Sequence, residues 1–207
     1  PRYLSSAASD VYKRQLSVNG RNSQSPWLKS GLQPGDALLI SRPLGTGVLF
    51  AGAMTGATKA TDLDAALKGM ACSQHMLLEQ LEPLRGDIHA CTDITGFGLL
   101  GHLGEMLQNS PELPIELEGS AIPAYPGALE LFERGFSSTL APSNRAAWRW
   151  LEGPVQLQQQ PSAALLELLV DPQTCGPLLL ACTSAAAAHL TRTGPWIEIG
   201  NATAVHE

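Results

Sequence analysis

Residues 88 to 107 read Ile88-His-Ala-Cys-Thr-Asp93-Ile-Thr-Gly-Phe97-Gly-Leu-Leu-Gly-His102-Leu-Gly-Glu-Met-Leu107, and their hydrophobic period changes half-way. Ile88, Ala90 and Thr92 alternate with His89, Cys91 and Asp93, the period of a half-buried strand. Leu99, Leu100, Leu103, Met106 and Leu107 then recur at helical spacing. The stretch predicts a strand, a glycine turn over Thr95-Gly-Phe-Gly98 and a helix. A carboxylate at the strand's end, facing free N–H groups at the helix start, suits a metal-bound polyphosphate: Asp93 for Mg²⁺, the amides around Gly96 to Gly98 for phosphate oxygens. The same residues also fit a plainer arrangement, in which Asp93 or Thr95 caps the helix and the glycines only supply positive φ.

Outward from this unit, the 207 residues suffice for one domain with a real core plus ends or a linker. With 44% hydrophobic and 15% charged residues the chain is not a disordered one. A net charge of −6 offers no footprint for nucleic acid or an anionic membrane, so neither is expected as a partner. No apolar run reaches the ~18 residues of a spanning helix, and no signal peptide is visible. Cys72, Cys91, Cys175 and Cys182 show neither C-x-x-C nor zinc spacing and read as mostly buried thiols of a cytoplasmic protein, with Cys175, in a turn, the one to test for reactivity.

Strands are expected at Ala37–Ile40, at Leu113–Leu117 as an edge because Pro114 cannot donate to a ladder, at Leu178–Cys182 and at Trp196–Gly200. Helices are expected after Gly47 to Met54, from Thr61 through Met70 and Met76 to Leu81, from Pro126 to Gly135, over Ala164–Leu169 and from Ser184 to Leu190. Ser137 to Asn144 and Gln156 to Gln160 read as loops. His75 has no partner at ligand spacing, and Gly45-Thr-Gly47 alone is weak evidence for phosphate.

The run Thr92-Asp-Ile-Thr-Gly-Phe-Gly-Leu-Leu-Gly-His102 resembles the signature of the selenophosphate synthetase (selenide, water dikinase) family. Arg42-Pro-Leu-Gly-Thr-Gly-Val48 and Asp171-Pro-Gln-Thr-Cys-Gly-Pro177 are similar to further family elements in the same order. The last departs from the family twice: Cys175 stands for a serine, and Pro177 for a glycine. Gln74 stands where the family usually has Asn. The resemblance runs from about Leu16 to Ala204 and implies the C-terminal domain of that family, within the aminoimidazole ribonucleotide synthetase superfamily: an α+β fold, a layered mixed sheet flanked by helices. Four or five strands read from the sequence agree.

Further implications of the resemblance follow. ATP, selenide and water would give selenophosphate, AMP and phosphate. Asp93 would be the magnesium ligand, with Thr95, Gly96, Phe97 and Gly98 at the ATP. Residues 1–15 match nothing in the family and read as foreign sequence. Residues 16–30 would be the last strand of an N-terminal domain and a linker, and 31–207 the C-terminal domain. The family's other metal carboxylates, its nucleophilic Cys or selenocysteine and its Lys belong to that N-terminal lobe, so this chain alone is expected to be inactive, while the intact enzyme would be a homodimer. A thiamine-monophosphate kinase or hydrogenase-maturation enzyme of the superfamily, or a non-catalytic interaction module, are the alternatives. His102, on the helix beyond the turn, reads as structural.

Overall fold

The computed structural model describes residues 24–203. The expectations for residues 1–15 and for a strand at Leu16–Gly20 lie outside the described residues. At the centre is β1 (Ala37–Ile40), buried at every position. It is flanked by β5 (Leu178–Cys182) and β6 (Ile197–Ala202), both antiparallel to it. The six-stranded sheet has the order β2-β5-β1-β6-β3-β4, with β2 (Ile88–Asp93), β3 (Ile115–Leu117) and β4 (Val155–Leu157) completing it. Only β3 and β4 run parallel, so the sheet is mixed and the fold is α+β.

Both faces of the sheet are covered, which is why its central strands read as continuous apolar runs. Leu38, Ile40, Leu179, Ala181 and Ile199 face a large core with helices α1 (Thr46–Met54), α4 (Gly98–Met106), α5 (Ala128–Glu133) and α7 (Ala163–Val170). Ala37, Leu39, Leu180 and Cys182 face a smaller one with Leu81, Trp196 and helix α8 (Ser184–Thr193). Burying one leucine side chain contributes about 2 kcal/mol. Leu99, Leu100 and Leu103, all fully buried, therefore hold α4 in place although two interior glycines cost it about 1 kcal/mol each.

The structure departs from the expected elements in several places. The helix expected from Thr61 to Leu81 is two: α2 (Ala60–Ala71) and α3 (His75–Leu81), separated by Cys72 in an extended conformation. Leu81 is buried, and Met76 is 64% exposed. β3 is interior, since Gln156 and Leu157, read as loop, pair with it as the edge strand β4. Pro114 lies just outside the ladder, its carbonyl accepting the Thr203 amide. Part of the loop expected before Asn144 is a short helix, α6 (Ala141–Asn144), and Thr183 rather than Ser184 caps α8. Within β2 the alternation breaks: Ile88 pairs with Cys182 and Ala90 with Ala181, so His89 is an extra residue in a bulge, its ring nitrogen 2.6 Å from Asp36. Ile88 thereby faces the small core and Ala90 the large one.

Candidate functional site

Asp93 is the last residue of β2, paired with Leu178 at the start of β5, and it is exposed. Its carboxylate has no side-chain hydrogen bond or ion pair among the described residues. The chain then turns through Thr95-Gly-Phe-Gly98 into α4. That helix has Phe97 as its N-cap and no side chain bonded to its first turn, so neither Asp93 nor Thr95 caps it. Gly98 is required on two counts: its φ is 71°, and a Cβ there would stand 2.7 Å from the Val170 carbonyl carbon.

Three groups hold the turn. His102, buried one helical turn further on, accepts the Thr95 amide at Nε2 (3.0 Å), which leaves Nδ1 to donate to Glu105 at 3.0 Å. The Thr95 carbonyl accepts the amides of Gln173 (2.9 Å) and Gly98 (3.1 Å). Asn144 donates through Nδ2 to the carbonyls of Gly96 (2.7 Å) and Val170 (3.0 Å). Of the four residues expected at the phosphates, Thr95 and Gly98 thus turn their amides inward. Those of Gly96 and Phe97 take no protein acceptor among the described residues. The Phe97 ring beside them is 61% exposed. Glu105 loses hydration on burial, but Lys29 and His102 hold its carboxyl below the usual range.

The other two family-like motifs meet at the same end of the sheet, and each is occupied by its neighbour. Gln173 Oε1 accepts the amides of Gly45 (3.0 Å) and Thr46 (3.2 Å), and Asp171 Oδ2 those of Gly47 (3.0 Å) and Val48 (3.3 Å). The first turn of α1 is therefore capped from a distant loop, and its amides face protein rather than phosphate. Asp171 is fully buried, and burial pushes its carboxyl up to about 7 against the pull of Val48, Gln173 and Gly47.

Gln74, at the break between α2 and α3, accepts from Ser41 at 2.5 Å and donates to the Gly176 carbonyl at 3.0 Å. The Arg42 guanidinium donates to the carbonyls of Gly69 (2.7 Å) and Cys72 (3.0 Å) at the end of α2, and to that of Cys175 (3.3 Å). Gly176 lies so close to the Ile94 carbonyl that no Cβ fits. Pro177 has no amide to offer, yet its carbonyl accepts the Ile94 amide at 2.8 Å. Cys175 is exposed with φ of 48°, the left-handed region, in which a β-carbon is disfavoured. Asn144 gave no signal in the sequence, because it lies in a four-residue helix without hydrophobic period.

A groove of about 620 Å³ is lined by Phe97, Gly101, Gly104 and Trp150. It does not include Asp93. His75 is exposed and its ring lies 3.3 Å from Glu79, and no group of three or more His, Cys, Asp or Glu able to hold a metal exists among the described residues.

Residues 33–207 match the family described as AIR synthase related protein, C-terminal domain. The chain belongs to this family. Among its AIR synthase related relatives, the selenide, water dikinase of Bdellovibrio bacteriovorus is 36% identical over 187 residues, 88% of this chain and 51% of that protein. That of Desulfitobacterium hafniense DCB-2 is 36% identical over 194 residues, 89% and 55% of the two. The chain spans about half the length of the curated relatives it matches. The AIR synthase related fold is shared with thiamine-monophosphate kinase from Stenotrophomonas maltophilia (TM-score 0.56, 17% identity, 86% of this chain and 50% of that one). It is shared equally with hydrogenase maturation protein HypE crystallised with ATP (0.56, 23%, 86% and 45%). No helix among the described residues is long and apolar enough to cross a membrane.

Proposed function

We propose that this chain supplies the C-terminal half of the ATP site of a selenophosphate synthetase, which converts ATP, selenide and water into selenophosphate, AMP and phosphate. The observation that carries the reading is an exposed carboxylate, Asp93, without a partner among the described residues, beside the amides of Gly96 and Phe97, which take no acceptor among them either, on a turn that three other residues hold in place. The selenide, water dikinases among its relatives and the ATP-bound HypE support it.

Asp93 fits a Mg²⁺ ligand: its carboxylate is accessible and takes no side-chain bond among the described residues. Mg²⁺, when bound there with ATP, would neutralise charge on the polyphosphate. Asp93 alone is too few ligands for it, so the remaining ones would be phosphate oxygens, water and carboxylates of an N-terminal half. Gly96 and Phe97 would receive phosphate oxygens, and their fixed orientation means that no reorganisation is needed as charge develops. Asp171, Gln173 and Gln74 hold the loops behind them. The free cysteines suit a cytoplasmic enzyme, and the complete enzyme is proposed to be a homodimer.

The test joins residues 16–207 to the N-terminal half of the Bdellovibrio relative and measures AMP formed per selenide added. The chimera should form AMP only with selenide, and the chain alone should form none. AMP formation by the chain alone, or undiminished turnover in an Asp93→Asn chimera, would overturn the reading.

A further inference from the structure

We infer that Asn144 is a positioning residue for the nucleotide, acting through the peptide that joins Gly96 to Phe97; the inference rests on the nucleotide reading above. Both neighbours of its Nδ2 are carbonyl oxygens, at 2.7 Å for Gly96 and 3.0 Å for Val170. Only an amino group satisfies two acceptors, so the orientation of the Asn144 amide is forced. A trans peptide is planar, with its C=O and the following N–H pointing in opposite directions. Pulling the Gly96 carbonyl toward Asn144 therefore aims the Phe97 N–H away from it, out of the turn.

The preceding peptide is set by different groups. The Thr95 carbonyl is drawn toward the amides of Gln173 and Gly98, and this aims the Gly96 N–H outward by the same rule. The two free amides of the site thus have separate anchors: Gln173 and Gly98 for Gly96, Asn144 for Phe97. The second bond of Asn144 ties its anchor to the end of α7, where Val170 also packs on Gly98. The Asn144 side chain bonds the two carbonyls and not Asp93.

The two-anchor geometry makes a prediction that a general loss of structure does not. Titrating the ¹⁵N-labelled chimera, in which the site is complete, with Mg-ATP and following the amide resonances of Gly96 and Phe97 reads each peptide separately, and reads weak binding as well as tight. In Asn144→Ala the nucleotide-induced shift of Phe97 should collapse while that of Gly96 persists, with the apparent Kd raised roughly five- to tenfold, the size of one hydrogen bond. Asn144→Asp, which removes both donors and adds a charge, should weaken binding further. If that variant does not fold, the alanine variant alone decides. Equal responses at Phe97 in wild type and Asn144→Ala would overturn the inference, as would a parallel loss at Gly96 and Phe97. If Asp93→Asn titrates like wild type, or neither amide of the wild type responds, it is the nucleotide reading that fails; if only Asp93→Asn weakens binding, the fault is with Asn144 alone.

Discussion

His102 and Thr95 are joined by a hydrogen bond in which the ring Nε2 accepts the Thr95 amide at 3.0 Å. With Nδ1 donating to Glu105, the imidazole bridges the glycine turn and its own helix. It is a structural histidine, as its place on the helix predicts. His102→Gln can accept the Thr95 amide through Oε1 and should change the melting temperature little and nucleotide binding less than twofold. His102→Leu leaves that amide without a partner and should cost about 1–3 kcal/mol. Chemical denaturation of the two variants side by side checks this: equal stabilities would show that the bond does not hold the turn.

Asp171 makes stability depend on pH. Burial raises its carboxyl from 3.8 to about 7 in the folded chain, so below pH 4 both folded and unfolded forms keep the proton. Between pH 4 and 7 only the unfolded chain releases it, and stability falls, by roughly 4 kcal/mol in total, then levels off. Asp171→Asn retains an acceptor for the Gly47 and Val48 amides without the titration. Urea unfolding at pH 5 and pH 7.5 should show the variant gaining on the wild type as pH rises, and parallel behaviour would refute the buried proton.

The parts of the fold legible in the sequence are those where one segment determines itself. The strand, turn and helix of residues 88–107 follow from a change of period, and the buried strands at Ala37 and Leu178 from continuous apolar runs. What escaped depends on partners remote in sequence. The break after Ala71 is enforced by Arg42 on the carbonyls of Gly69 and Cys72 and by Gln74 reaching Ser41 and Gly176. The bulge at His89 puts Ile88 and Ala90 on opposite faces of the sheet, and spacing cannot register an inserted residue. β4 is three residues long and exists through its pairing with β3. At the site, Asp93 and the glycine turn were readable, but which amides stay free was not: that is decided by His102, Gln173 and Asn144.

The four thiols should separate by reactivity. Cys72 and Cys175 are exposed, whereas burial, aided by the charge of Asp93, pushes the Cys91 thiol up to about 11. Burial, with Asp36, Glu198 and Asp87 nearby, pushes that of Cys182 up to about 12. At pH 8 a pKa of 11 leaves roughly a thousandth of the thiol ionised. An aromatic disulfide reagent should therefore titrate two groups quickly and two only on unfolding. Cys72→Ser and Cys175→Ser should each remove one fast equivalent, and a third fast thiol would mean that β2 or β5 opens in the native state.

Asp93 offers the sharpest separation of function from stability. It is exposed and makes no side-chain bond among the described residues, so Asp93→Asn removes nothing that the fold uses. Its melting temperature should lie within about 2 °C of the wild type, because changes at surface positions without a partner are usually worth less than ~0.5 kcal/mol. In the selenide-dependent chimera the same substitution removes the negative charge facing the metal and should lower turnover roughly a hundredfold or more. Restoring the carboxylate on a longer arm, Asp93→Glu, should recover part of the rate if the metal tolerates displacement, and should raise the Mg²⁺ concentration needed for half-maximal AMP formation. A destabilised Asp93→Asn would instead make the carboxylate part of the scaffold, and a fully active one would remove the metal from this end of the sheet.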